Sequence, residues 1–271
     1  MKSENFIGKV LPANSTPHVD ISISPFVDNS ACVARERLFS AGRSDFYGVP
    51  SGYQQDIYGT ICREKLLWTI LANPDFSRFS CSLHVKNFPS SHKPVVDRDE
   101  LAFNQFLLKH TVLNNQGIII HAAGGKIQGK GIVFAAPSGT GKSTLGQLLL
   151  QDPHIRLFSE ERLILRLQEK RWHVWGTPWR GEGDIASNNS APLDALVFLR
   201  QSLETKICQL EPAIGLKSLL QTASIPWYGQ EWADKGISIC ETLAQDVAMY
   251  ELAFRPDESA VYAVERLAAE L

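Results

Sequence analysis

"GIVFAAPSGTGKSTLGQLLLQ", residues 131–151, runs an apolar stretch into a loop of small residues, then a lysine, two hydroxyls and a leucine-rich segment. The β-branched start predicts a strand. Leu145, Leu148 and Leu149 predict an amphipathic helix, which ends before Pro153 because proline cannot continue it. Upstream, "GIIIHAAG" (117–124) reads as a second apolar strand, and the connecting "GKIQGK" has glycines suited to a tight turn. The order strand, strand, loop, helix points to an α/β domain.

The loop itself, "APSGTGKS" (136–143), matches the phosphate-loop pattern GxxxxGK[ST] except that Ala136 stands at the first glycine. Gly139 and Gly141 let backbone N–H groups turn inward around phosphate oxygens, and a helix N-terminus adds partial positive charge. Lys142 can reach the β and γ phosphates, and the Ser143 hydroxyl can ligate magnesium. Pro137, Ser138, Gly139, Thr140, Gly141, Lys142, Ser143 and Thr144 are therefore the expected nucleotide-binding residues, with ATP and Mg²⁺ as the expected pair.

What is done with the phosphate depends on the acids. Many phosphate-loop proteins close a later apolar strand with a magnesium-side aspartate, but "LDALVFL" (193–199) carries Asp194 at the wrong end. "IRLFSEERLIL" (155–165) instead places Glu160 and Glu161 between two short strands directly after the loop helix. Two adjacent like charges would be relieved by a divalent cation.

Composition and charge bound the rest. A chain of 271 residues, 44% hydrophobic and 21% charged, can bury a core and form one large or two ordinary domains. A net charge of -2 supplies no positive excess for a polyanionic backbone, so no nucleic-acid partner is expected. "MKSENFIGKV" lacks a secretory apolar run and no later run reaches about 18 apolar residues, so a cytoplasmic protein without a membrane span is expected. Five cysteines, odd in number, widely spaced and without a CxxC pair, read as reduced and mostly buried thiols.

The stretch "NFPSSHKPVVDRDE" (87–100) marks a boundary near residue 97. Residues 1–97 read as a smaller N-terminal α+β domain with strands in "HVDISISPFV" and "RFSCSLHVKNF" and a helix in "REKLLWTILA". Residues 98–271 read as the phosphate-loop domain, opening on a helix in "DELAFNQFLLKHTVL" and closing on one in "DESAVYAVERLAAEL".

"IIIHAAG", "APSGTGKSTL", "FSEERLIL", "VWGTPWRGEG", "APLDALVFL" and "YELAFRPDES" in this order resemble the HPr kinase/phosphorylase-related group, whose fold is similar to that of phosphoenolpyruvate carboxykinase. The likeness covers about residues 100–265 and is greatest to the small serine kinases of peptide-tailoring clusters. It implies a phosphate-loop kinase domain of that type. In the group two aspartates follow the loop helix, one a base toward the acceptor hydroxyl and one a magnesium-side acid. Glu160 is thereby implied as the base and Glu161 as the metal-side acid. His121 is implied near the phosphates. Arg180, in a glycine-flanked turn, could neutralise charge on the transferring phosphoryl group, and Glu182 could join the magnesium shell.

The resulting expectation is an ATP- and Mg²⁺-dependent kinase acting on a serine of a peptide or protein, with residues 1–97 positioning the acceptor. A nucleotide-binding sensor with little catalysis, an ATP hydrolase, a phosphorylase and a small-metabolite kinase are the alternatives. Trp172, Trp175, Trp179, Trp227 and Tyr228 could stack on a base or grip a peptide, but aromatic residues at strand spacing usually pack a core.

Overall fold

The computed structural model describes residues 20–25, 35–41, 44–58, 65–84, 105–181 and 183–271. The chain divides into two compact units, one containing the described residues 20–84 and the other those from Leu108 onward. The expected boundary near residue 97 lies outside the described residues.

In the first unit a meander runs β2 (Glu36–Ala41), β3 (Ser44–Val49), β4 (Gly52–Tyr58), β5 (Leu66–Ala72) and β6 (Arg78–Leu83), and β1 (Asp20–Pro25) adds to it parallel to β6. The helix expected in "REKLLWTILA" is corrected here, because Leu66–Ala72 is a strand paired on both edges. Trp68, Thr69 and Ile70 favour a pleated surface, and a short apolar run does not by itself separate a buried strand from a helix. Ile70 and Cys81, partners across β5 and β6, are fully buried, and Phe76 and Phe79 are nearly so.

In the second unit the part of α1 (Gln105–Asn114) from Leu108 onward leads into a mixed sheet. Its strands are β7 (Gly117–Ile127), β8 (Lys130–Ala135), β9 (Ile155–Ser159), β10 (Arg162–Gln168), β11 (Arg171–Trp175), β12 (Ser190–Pro192), β13 (Ala195–Gln201), β14 (Lys206–Gln209) and β15 (Ala248–Phe254). The order is β12-β11-β10-β7-β8-β13-β15-β14, with β9 on β7. Strands β8, β13 and β15 run parallel, as α/β crossovers require. The helices are α2 (Lys142–Leu149), α3 (Pro212–Thr222), α4 (Gln230–Asp246) and α5 (Glu258–Glu270).

Alternation along the strands explains two helical layers. Ile132, Phe134, Val197 and Leu252 face one way and pack with Leu145 and Leu149 of α2 and Val264 and Leu267 of α5. Met249, of the other parity on β15, meets α3 at Gly215, where an added Cβ would lie 2.6 Å from the methionine sulfur. The Asp257 side chain caps α5 by accepting from the Ser259 amide at 3.0 Å.

Three of the five aromatics singled out above, Trp172, Trp175 and Trp179, pack in the fold. Trp172 is buried and donates to Asp246 at 3.0 Å, and Trp175 and Trp179 pack against Val112, Ile119 and Ile164. Trp227 is exposed. Cys81 and Cys240 are free and buried, with burial pushing their thiols up to about 11 and about 12, whereas Cys208 is free and exposed. Cys32 and Cys62 lie outside the described residues. No helix among the described residues is long and apolar enough to cross a membrane.

His110 on α1 gives a pH prediction. It is fully buried, its Nε2 is 2.5 Å from the Tyr228 hydroxyl, and its ring meets Trp232 edge-on at 4.3 Å. Burial, with Lys109 and Lys235 nearby, pushes its pKa down to about 3. The unfolded chain, with an ordinary histidine near 6.5, takes up a proton that the native chain refuses. The stabilisation is therefore complete above about 6.5 and is lost as pH falls toward 3, at up to about 1.4 kcal/mol per pH unit. Denaturant titrations should show a loss of about 2 kcal/mol between pH 7 and pH 5 that is absent in His110→Gln. Equal pH slopes in the two proteins would refute it.

Candidate functional site

The loop between β8 and α2 is shaped by two left-handed glycines, Gly139 at φ 79° and Gly141 at φ 106°. A side chain at Gly141 is also blocked, since its Cβ would stand 3.0 Å from the Phe254 ring. Gly141 occupies the N-cap of α2 with no side chain capping it, so the first-turn amides have no partner of their own within the helix. Such a terminus suits an anion. The Thr140 hydroxyl donates to the Pro137 carbonyl at 3.0 Å and Gln201 Nε2 to the Gly139 carbonyl at 3.2 Å, which fixes the loop from within and from β13.

Lys142 is buried, with Nζ donating to the Ala136 carbonyl at 2.8 Å and the Pro137 carbonyl at 3.1 Å. Burial lowers its pKa, and the charge of Glu161 acts in the opposite sense. The lysine is thus folded back on its own loop, within the field of an acid from the next strand pair.

That acid sits at a break. β7 pairs with β10 through Gly117–His121 and with β9 through Gly124–Ile127, so residues 155–168 run along one edge of β7 with Glu160 and Glu161 between the two strands. The buried Ser159 hydroxyl accepts from the amides of Glu161 and Arg162, each at 3.2 Å, replacing ladder bonds with a local turn. The Ala122 amide reaches the Glu161 carbonyl at 3.3 Å. His121 is consequently opposite the break. Burial, ahead of the charge of Lys142, holds its imidazole below the ordinary range, so it is neutral at pH 7.

The two acids differ. Glu161 is about a third exposed and loosely paired with Arg162 at 3.9 Å. Glu160 is 4% exposed and enclosed by the loop after β11. An added Cβ at Gly181 would be 2.8 Å from its Cγ, and one at Gly183 would be 2.6 Å from its Oε2. The Ile185 amide lies 3.5 Å from Oε1. The two glycines make room for the carboxylate, including the methylene by which glutamate exceeds aspartate.

One cleft of about 560 Å³ gathers these parts: Ser138, Gly139, Gly141, Lys142, Ser143 and Thr144 from the loop and α2, His121 from β7, Glu160 and Glu161 from the break, and Gly181. Pro137 and Thr140 line adjoining clefts. Arg180 is exposed and engaged with Asp184, at 2.6 Å to Oδ1, and is not among the residues lining this cleft. Glu182 lies outside the described residues. Among the described residues no three His, Cys, Asp or Glu converge on one point. Magnesium beside a polyphosphate needs no such cage, because phosphate oxygens and water supply most of its ligands. The Ser143 hydroxyl and Glu161 carboxylate, hard oxygen donors in one cleft, fit it.

Sequence reasoning missed Ser159, Gly181, Gly183 and Gln201. A serine just before two acids between strands is a turn signal that was available for Ser159. Nothing local tells which side chain the glycines enclose.

Fold and cleft together define a mixed α/β protein with a glycine loop between strand and helix and an acid pair beside it. The chain belongs to the family described as SynChlorMet cassette protein ScmC, which matches residues 95–252. Among solved structures it is similar to the Hpr(Ser) kinase/phosphatase from Coxiella burnetii at 12% identity, over 56% of this chain and 94% of that one. The TM-score is 0.33, so the superposition establishes neither fold nor activity for this chain. No curated protein matches it.

Proposed function

We propose that the chain is an ATP- and Mg²⁺-dependent kinase that transfers the γ-phosphoryl group to a serine hydroxyl of a peptide or protein. The observation that carries this is the single cleft in which the glycine loop, Lys142, Ser143, His121, Glu160 and Glu161 meet. The loop amides and Lys142 hold the phosphates once Lys142 leaves the carbonyls of Ala136 and Pro137. Ser143 and Glu161 would hold magnesium, which neutralises phosphate charge when bound. Glu161 takes this part because it is about a third exposed in the cleft it shares with Ser143, whereas Glu160 is 4% exposed.

Glu160 is the base: it accepts the serine proton as the hydroxyl oxygen forms its bond to the γ phosphorus and ADP leaves. Neutral His121 adds a hydrogen bond without another charge. Arg180 would support the transferring group after release from Asp184, and Glu182 would join the metal shell. Residues 1–97 position the acceptor, and the reaction is cytoplasmic. Magnesium dependence tests the scheme: turnover should disappear in excess chelator and return with added Mg²⁺, whereas full activity in chelator would overturn it.

One observation favours a second reading, a nucleotide-binding sensor. Glu160 lines the cleft but is only 4% exposed, packed against Gly181 and Gly183, which leaves an acceptor oxygen little of its carboxylate to reach. ATP binding without transfer to any serine peptide would favour the sensor.

A further inference from the structure

A second cleft of about 540 Å³ adjoins the acid-lined one and shares Gly141 and Thr144 with it. We propose that it receives the nucleoside of the triphosphate, an inference that rests on the ATP-binding reading above. Lys142 lines one cleft with Glu160 and Glu161 and marks the end of the phosphate chain where the β and γ groups belong. The α phosphate then lies across the helix N-terminus toward Thr144, and the chain leaves the acid cleft past Gly141 and Thr144. These are the residues through which the second cleft opens.

Its chemistry suits a flat apolar ring with a polar edge. Phe254, buried in the core, lies directly under Gly141, so its ring forms a floor that only glycine lets the loop approach. Leu203 on the rim is 89% exposed, an apolar side chain in water that a base would cover, and Pro256 completes the apolar wall. Gln201 and Ser202 supply polar groups, with Gln201 tied to the Gly139 carbonyl at 3.2 Å. The competing exit is a cleft lined by Ala135–Thr140, Arg200, Gln201, Gln221 and Glu251. It shares Thr140 and Gln201 with the proposed cleft but touches neither Gly141, Lys142, Ser143 nor Thr144, and its two charged side chains, Arg200 and Glu251, are paired with each other at 3.0 Å.

Calorimetry with ATP and with inorganic tripolyphosphate, each with Mg²⁺, tests this on the full chain. The parent should bind ATP about tenfold more tightly than tripolyphosphate. Leu203→Ser, at an exposed position, should remove most of that advantage and leave tripolyphosphate unchanged, while Gln221→Ala should change neither. Equal binding of both ligands by the parent would overturn the nucleoside assignment and leave the phosphate loop standing. So would an unaltered ATP preference in Leu203→Ser, or a loss confined to Gln221→Ala. Absence of binding by either ligand would overturn the ATP reading and this inference together.

Discussion

Replacing Lys142 by alanine is expected to weaken ATP binding by about 10²-fold, near 3 kcal/mol, and to leave the fold intact. The size follows from charge-assisted hydrogen bonds to phosphate made in a half-closed cleft, where water competes less than on an open surface. The fold survives because Nζ bonds only carbonyls of its own loop: that of Pro137 keeps the Thr140 hydroxyl at 3.0 Å, and that of Ala136 is left to water entering the space the lysine vacates. The α2 residues that pack the core are Leu145 and Leu149. Calorimetry of the variant beside a thermal melt separates the two effects. An unchanged dissociation constant in a folded variant would remove the loop from nucleotide binding.

Glu160→Gln should slow phosphoryl transfer by on the order of 10²-fold or more while ATP affinity changes little, the scale usual for a general base. Glutamine keeps the length that Gly181 and Gly183 accommodate, so lost rate reports lost charge rather than lost packing. Gly183→Ala provides the companion measurement. Its Cβ would stand 2.6 Å from Glu160 Oε2, so the carboxylate must swing aside, and transfer should fall with ATP affinity retained. Transfer by Glu160→Gln at the parental rate would move the role of base to Glu161 or His121. Glu160→Asp adds a diagnostic: a sharp rise from near-zero activity would mark the natural protein as a nucleotide sensor.

Much of this was legible locally. β7, β8, α2, β9 and β10 follow from apolar runs, glycines and the lysine-serine loop, because each is set by period and turn chemistry within a few residues. That Glu160 and Glu161 follow the loop helix between two short strands was legible too, but the return of that strand pair along β7 is seen only in the structure. The strand at Leu66–Ala72 was not, because its seven residues are too short for periodicity to separate strand from helix and its partners β4 and β6 decide the matter. The enclosure of Glu160 by Gly181 and Gly183 was also invisible. It depends on how a loop 21 to 23 residues onward (181 − 160 and 183 − 160) folds back over the break. The engagement of Arg180 with Asp184 had spacing in its favour, but whether an exposed arginine turns to a neighbour or to a cleft is settled by loop geometry.

The most direct test of the kinase reading is to incubate the full chain with ATP labelled in the γ phosphate, Mg²⁺ and a set of serine-containing peptides, then locate the label by mass spectrometry. Label on a peptide serine, absent when that serine is alanine and absent with Glu160→Gln, is the expected result. Retention of the label in bound ATP, or its appearance only as inorganic phosphate, with every acceptor tried would contradict it.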